Sequence, residues 1–229
     1  MLKNVFLGIS ILFVLIYFSA SILYDTKYVV YIKPVIIPAF ICYAFCAFKE
    51  RLNSHYLIFV FFFYAGEIGI LFMEQSPIMY KFGLLFYFFS YLSLINLAYP
   101  YIKFVNLIKE IKLYSFFIFL LLTVLLVFIL KIIFDSEIDF YLNTIIVLNA
   151  LSAIFLVVTA FILLQEIFNR KTVYYFFGVF CIFFSDVISA VNFYLLDDFY
   201  LNLLERVLHF SGFFLFYLFI IQKEENKFS

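Results

Sequence analysis

The sequence predicts an all-α fold, a polytopic membrane protein in which a bundle of eight transmembrane helices makes one domain over residues 1–229. Hydrophobic residues make up 68% of the chain and charged residues 13%, which is more apolar surface than one soluble core can hide. The mean hydropathy of +1.15 agrees with this. Polar residues gather in short segments between apolar runs of about 20 residues, the length that crosses roughly 30 Å of hydrocarbon.

Charge and cysteine content exclude several other classes. The 15 basic and 15 acidic residues give a formal net charge of zero, so nothing indicates a nucleic acid or a strongly acidic partner. The three cysteines, Cys42, Cys46 and Cys181, are odd in number and lie within apolar runs. They support neither a disulfide framework nor a four-ligand zinc site. We therefore expect no metal and no cofactor.

Eight apolar stretches are long enough to span the bilayer, provided that each closes its own backbone hydrogen bonds. In chain order we predict them over residues 5–24, 28–48, 55–73, 82–99, 113–134, 141–164, 172–196 and 203–221. The first follows Lys3 and ends near Ser19, Ala20 and Ser21, as a cleaved signal peptide does. Its apolar run is longer than the core of such a peptide, so we interpret it as a span.

The longest connection, over residues 100–112, mixes apolar side chains with Lys103, Lys109 and Lys112. This composition is typical of a short helix that lies in the membrane interface. We predict such a helix between the fourth and fifth spans.

The distribution of Lys and Arg predicts the orientation. Ten of these residues fall on the side that holds both termini, and five fall on the other side. Because basic residues stay on the cytoplasmic side, we expect both termini in the cytoplasm and the protein in a bacterial inner (plasma) membrane. The five outer residues are Lys27, Lys33, Lys81, Lys131 and Arg206, and Glu205 is among the acids counted with them.

Two acidic residues, Glu67 and Asp186, lie deep inside predicted spans. A carboxylate near the bilayer centre costs about 2.5 kcal/mol or more, so each is a hypothesis about function and about a partner, for which we predict Lys33. Small residues flank both acids, so we expect their helices to approach closely and the carboxyls to be neighbours. Neighbouring carboxyls do not both ionise readily, which leaves an acid beside a base, as acid–base hydrolysis requires. The flanking residues are Gly66, Gly69, Ser185 and Ser189.

Other polar residues are expected at a depth similar to that of the two acids. Counting about 1.5 Å per residue along each span puts Lys33, Asn192 and His209 in one outward-facing layer. The same count puts Ser90 and Tyr91 deeper or towards the cytoplasm. Most of the polar side chains are thus predicted to converge on one level of the bundle.

Purely structural interpretations of these residues, in which they take no part in a reaction, stay open. Lys33, Glu67 and Asp186 are also explained as a charge-balanced network that fixes helix packing, and Lys33 as a side chain that snorkels to the interface. His209 is also explained as a hydrogen-bonding residue between helices. A small transporter is disfavoured, because the sequence has no convincing inverted repeat and no pair of helices broken by Gly or Pro.

Three short motifs span nearly the whole chain. The first is Tyr31-Ile32-Lys33-Pro34, the second is Gly66-Glu67 ahead of Phe82-Gly83-Leu84, and the third is Ser185-Asp186 with Asn192-Phe193. In this order and spacing they resemble the YhhN-like lysoplasmalogenase family of eight-helix membrane proteins. The resemblance implies hydrolysis of the vinyl ether bond of lysoplasmalogens, which releases a fatty aldehyde and a glycerophospho-headgroup.

The resemblance also implies roles for single residues. Asp186, Lys33 and Asn192 match the family's Asp in the seventh helix, the Lys of its Lys-Pro motif and the Asn that follows. We expect Asp186 and Glu67 to be the catalytic acid–base pair, with a membrane lysophospholipid as the partner. The expected substrate-binding residues are Tyr31, Lys33, Asn192 and His209.

Two positions depart from the family pattern. The family has Gly-Asp where this chain has Gly66-Glu67, and a His near the place of Ser90 and Tyr91. Glu keeps the carboxyl but moves it by one methylene, and a misplacement of about 1 Å can cost about a hundredfold in rate. The alternative function is therefore a non-catalytic lipid-binding or scaffold protein with the same fold.

Overall fold

The structure, a computed structural model, describes residues 2–23, 33–48, 52–72, 75–102, 139–196 and 198–222, with a few positions between 120 and 134. The secondary structure of these residues is helical, with no strand. Besides one 3-10 turn and one π-helical segment, they form seven α-helices. These are α1 (Leu2–Leu23), α2 (Lys33–Phe48), α3 (Ser54–Leu71), α4 (Pro77–Ala98), α5 (Phe140–Glu166), α6 (Arg170–Val191) and α7 (Phe199–Ile221).

The prediction of a helical membrane protein is confirmed at this coarse level. Five helical segments of the described part are long and apolar enough to cross a membrane. They are Ser54–Leu71, Pro77–Tyr101, Phe140–Glu166, Arg170–Leu196 and Phe199–Ile221. The described residues hold seven helices and not the predicted eight, because the predicted span over 113–134 lies mostly outside them. The predicted interface helix over 100–112 also lies outside them beyond Ile102.

Two helices begin more than three residues earlier than predicted, and in both cases the local sequence explains why. Helix α4 begins at Pro77 and not at Phe82. Proline suits a first helical position because it has no N–H to leave unpaired. Helix α7 begins at Phe199 and not at Leu203, since the Asp198 carboxylate accepts hydrogen bonds from the backbone N–H groups that open the helix.

The chain divides into two compact units, Met1–Ser90 and Tyr91–Ser229, with the boundary inside α4. In the first unit, α1 packs on α2 and α2 contacts α3. Helices α3 and α4 approach so closely that a Cβ added to Gly69 would lie 2.6 Å from the Cα of Gly83. Only glycine fits such a backbone-to-backbone approach, as in other membrane helix pairs.

In the second unit, α6 packs against both α5 and α7. Glycines again permit the approach, because a Cβ on Gly212 would lie 2.8 Å from Cγ1 of Ile182. Tyr175 of α6 is fully buried, and its ring packs with Phe219 at a centroid distance of 5.1 Å. Its hydroxyl donates to the backbone oxygen of Leu94 at 2.9 Å, which ties the end of α4 to α6.

The turn between α6 and α7 is closed by side chains. A π-helical segment, Asn192–Leu196, extends α6. Oδ1 of the buried Asn192 accepts a hydrogen bond from the backbone N–H of Asp198 at 2.6 Å. Because Asp198 then caps α7, the two helices form a tight hairpin.

The opposite end of α6 is held by Lys171. Its Nζ donates to the Tyr101 hydroxyl at 2.9 Å and lies 4.6 Å from the centroid of that ring. The Phe219 ring lies on another side, 5.3 Å away. The contacts are cation–π in type, and they join the end of α7 to the start of α6.

Candidate functional site

Glu67, the first of the two acids, is buried in the first unit with 6% of its surface exposed. Its Oε1 accepts a hydrogen bond at 2.5 Å from the hydroxyl of Tyr87, a residue of α4. Gly66 makes this contact possible, because a Cβ there would lie 3.0 Å from the Tyr87 ring. The small residue before the acid therefore makes room for the ring that supplies its hydrogen-bond donor.

Asp186, the second acid, lies half-buried on α6 in the second unit. Its Oδ2 accepts a hydrogen bond from the hydroxyl of Tyr91. The sequence count put Tyr91 deeper or towards the cytoplasm, but its hydroxyl reaches the acid. The count follows backbone positions, and a phenol carries its hydroxyl well away from the backbone.

The structure thus gives each acid a tyrosine hydroxyl as a hydrogen-bond partner. Lys33, the predicted partner, begins α2, but its side chain lies outside the described residues, as does the whole of Tyr31. Glu67 and Asp186 belong to different units. Their predicted proximity therefore stays a prediction.

Four buried polar side chains meet where α6 packs on α7, and we call them the α6–α7 polar cluster. The hydroxyl of Ser185 donates to the backbone oxygen of Glu205 at 3.1 Å and lies 3.3 Å from Nδ1 of His209. Oε1 of Glu205 lies 3.8 Å from the same Nδ1. Its Oε2 lies 3.9 Å from Nε of Arg206. All four residues are buried.

Glu205 and Arg206 were counted from the sequence among the charges of the outer side, and the structure adds that neither side chain is exposed. Both are buried in α7, because the helix begins at Phe199 and carries them into its second turn. A sequence signal was present, since both fall within the predicted span over 203–221 and Glu205 stands four residues before His209. That spacing places two side chains on one helix face. Removing Arg206 from the outer cations leaves the excess of basic residues on the same side.

Of the remaining predicted site residues, Asn192 and His209 are both described. Asn192 uses Oδ1 to close the turn before α7, so one of its polar atoms serves the fold. His209 lies in the α6–α7 polar cluster with 3% of its surface exposed. Its surroundings contain an acid and a hydroxyl, which suits proton transfer as well as packing.

The arrangement is suited to moving protons. A carboxyl that accepts a hydrogen bond on one oxygen can carry a proton on the other, so Asp186 can act as an acid while Tyr91 holds it. Among the described residues, no three His, Cys, Asp or Glu side chains gather as ligands of a metal ion would.

Comparisons with protein-family models, with curated protein sequences and with solved structures give no match to this chain.

Proposed function

We propose that the protein is a lysoplasmalogenase-like membrane hydrolase that cleaves the vinyl ether bond of lysoplasmalogens by the acid–base chemistry of intramembrane carboxyls. The observation that carries the proposal is Asp186, an acid within a membrane-spanning helix that is held by Tyr91 and follows a residue of the α6–α7 polar cluster. Buried ionisable groups in membrane helices are costly and mark functional sites. The three motifs that resemble the YhhN-like family add to this support.

The proposal includes a topology of eight spans, with both termini in the cytoplasm of a bacterial inner membrane. The excess of Lys and Arg on one side supports the orientation. The apolar run over 113–134 supports the remaining span, since it is long enough to cross the bilayer. The substrate, a lysophospholipid, would reach the site from the membrane itself.

Vinyl ether hydrolysis explains why carboxyls are needed. An acid protonates the carbon of the double bond that is not bonded to the ether oxygen. The positive charge that develops on the resulting oxocarbenium ion is stabilised by a nearby carboxylate. Water then adds to give a hemiacetal, which collapses to a fatty aldehyde and an alcohol. This reaction is driven by proton transfer, so side chains alone can supply its catalysts.

We assign the first proton to Asp186, because it is the less buried acid and accepts the hydrogen bond from Tyr91 on one oxygen, Oδ2. Glu67 is the second catalytic carboxyl of the proposal. Lys33 would bind the lipid phosphate, and Asn192, His209 and Tyr31 are the other proposed substrate-binding residues.

The second candidate is a non-catalytic lipid-binding or scaffold protein with the same fold. The surroundings of Glu67 favour it, because the Glu67–Tyr87 bond sits within the glycine contact of α3 and α4 and serves as a helix clamp. In this case the acids would hold helices together and a bound lipid would leave unchanged.

The test is the release of fatty aldehyde from a lysoplasmalogen by the purified protein, with Asp186→Asn and Glu67→Gln beside the wild type. Each substitution keeps an oxygen that can accept the tyrosine hydrogen bond, so the fold is expected to survive. We expect release by the wild type and loss of it in both variants. Circular dichroism and thermal unfolding verify that each protein is folded.

Matched controls use acids outside the site. Asp139→Asn keeps a good helix cap for α5, and Glu166→Gln lies at the end of the same helix. Both are expected to release aldehyde at the wild-type rate. No release by a folded wild type, tested with several headgroups, would reject the hydrolase and favour the lipid-binding alternative.

A further inference from the structure

His209 has two oxygen atoms near its Nδ1 nitrogen. Oγ of Ser185 lies 3.3 Å away and Oε1 of Glu205 lies 3.8 Å away. Ser185 comes from α6 and Glu205 from one turn earlier in α7, so the ring is approached from two helices. The ring itself is buried against Phe213, with centroids 5.6 Å apart.

The hydrogen-bonding capacity of Ser185 and Glu205 determines which ring nitrogen of His209 carries the proton. A serine hydroxyl has one hydrogen, and Ser185 donates it to the backbone oxygen of Glu205 at 3.1 Å. Its oxygen can then only accept from His209. A carboxylate also only accepts, so both neighbours require a hydrogen on Nδ1. In the neutral ring the other nitrogen, Nε2, is then the basic atom.

We propose that His209 is a general base of the hydrolysis, acting through Nε2, and that Ser185 and Glu205 are positioning residues that fix its tautomer. This inference rests on the proposed function. The arrangement follows the rule that a catalytic base is oriented by a third group on its opposite nitrogen. The acid, Asp186, follows Ser185 in α6, and the base, His209, lies in α7. Both helices belong to the second unit.

The base completes the proton balance of the reaction. Asp186 gives its proton to the outer vinyl carbon, which forms a C–H bond and leaves an oxocarbenium ion. Water forms the new C–O bond, and the proton it loses passes to Nε2 of His209. In the collapse, the hemiacetal hydroxyl returns a proton to Asp186 while the imidazolium protonates the departing glycerol oxygen. The vinyl ether and one water become an aldehyde and an alcohol, and both side chains regain their starting states.

The tautomer can be measured without any activity. The chain has two histidines, His55 and His209, so the nitrogen NMR spectrum of protein labelled with 15N-histidine contains two ring systems. The variant His209→Asn assigns the signals. We expect the Nδ1–H form for His209 in the wild type and a mixture of forms in Glu205→Gln and Ser185→Ala. An Nε2–H form in the wild type would overturn the inference.

The role is measured by kinetics with His209→Asn. The asparagine amide can take the place of Nδ1 and keep the bond to Ser185, but it has no counterpart of Nε2. We expect kcat to fall by about a hundredfold or more, the scale of general base catalysis, with KM nearly unchanged. Glu205→Gln is expected to lower kcat by about tenfold, the scale on which orienting partners act. His55→Asn, the same change at the start of α3, is the matched control.

The outcomes separate the two proposals. A wild type that releases aldehyde, beside a folded His209→Asn variant with the full kcat, overturns the role of His209 and leaves the hydrolase standing. A wild type with no release overturns the hydrolase and the role of His209 with it, even where the Nδ1–H tautomer is found. A fall in kcat together with that tautomer supports both.

Discussion

The two carboxyl–tyrosine pairs use the same hydrogen bond in different surroundings. Glu67 and Tyr87 meet inside the glycine contact of α3 and α4, where the two helix backbones approach closely. Asp186 of α6 is bonded to Tyr91 of α4, and the residue before Asp186, Ser185, belongs to the α6–α7 polar cluster. The first pair is enclosed by packing, and the second is one residue along the chain from the α6–α7 polar cluster.

A buried acid alone therefore does not define a reactive site. A hydrogen bond to a buried carboxyl can serve mainly to hold two helices in one register, as an interhelical polar contact does in lipid. Reactivity also needs groups that accept and return protons, and the α6–α7 polar cluster, which contains Ser185, the residue before Asp186, holds an acid and a histidine. We therefore expect activity to depend most on the second pair and stability most on the first.

The largest effect is expected from moving the acid at the second pair. Asp186→Glu keeps the carboxyl but shifts it by one methylene, and a misplacement of about 1 Å lowers rates about a hundredfold. We expect kcat for aldehyde release to fall on this scale, with thermal unfolding little changed. An equal rate would show that Asp186 does not touch the reacting atoms.

The next largest effect is expected from filling the first glycine contact. Gly69→Ala would place Cβ 2.6 Å from the Cα of Gly83, and backbone cannot move aside cheaply. We expect it to lower the free energy of unfolding by about 3 kcal/mol, and Gly212→Ala by about 1 kcal/mol because the Ile182 side chain can shift. Unfolding in detergent measures both.

Gly8→Ala is the control for this comparison, since nothing lies within 4 Å of a Cβ there. It is expected to leave stability unchanged or raise it by up to about 1 kcal/mol through helix propensity. Equal losses for Gly69→Ala and Gly212→Ala would contradict the difference in packing.

Removing the hydroxyl of Tyr87 or of Tyr91 tests more directly which pair serves stability and which serves activity. Tyr87→Phe leaves the buried Glu67 without that donor and should cost about 2 kcal/mol of unfolding free energy. Tyr91→Phe should cost about 1 kcal/mol, because Asp186 is less buried, but should lower kcat more than Tyr87→Phe does. Paired unfolding and aldehyde-release measurements test the crossover, and a larger activity loss in Tyr87→Phe would reverse our assignment.

The smallest effect is expected far from both acids. Lys171→Met removes the ammonium that contacts Tyr101 and Phe219 but keeps an apolar chain of similar length. We expect a loss of about 0.5 to 1 kcal/mol, typical of a cation–π contact, and an unchanged rate. Thermal unfolding beside the aldehyde assay checks this, and a large loss of activity would extend the site to the other end of α6.

Much of the helix arrangement could be predicted because lipid imposes it. Runs of about 20 apolar residues must form helices to satisfy their backbone, and polar connections then mark the ends. The predicted spans over 55–73 and 141–164 differ from α3 and α5 by at most two residues at each end. The larger errors came at Pro77 and Asp198, where one residue sets the helix start.

The partners of the acids could not be predicted from the sequence. Nineteen Tyr and 38 Phe residues make an aromatic side chain commonplace in this chain, so Tyr87 and Tyr91 carried no distinct signal. Helices that are apolar all round do not reveal which face points inward. The predicted charged partner, Lys33, has its side chain outside the described residues and stays a prediction, while the two tyrosine hydroxyls were not foreseen. For the contact of Glu205 with His209, the spacing of four residues was a sequence signal that the predictions did not use.

The adjacency of Glu205 and Arg206 has a consequence for biosynthesis. Opposite charges on consecutive residues enter the bilayer together, so α7 partitions with no net charge from this pair, although each charge alone would oppose insertion. The short turn closed by Asn192 keeps α6, with Ser185, beside it. The two helices are thus suited to leave the translocation machinery as one hairpin, with their polar groups already shielded from lipid.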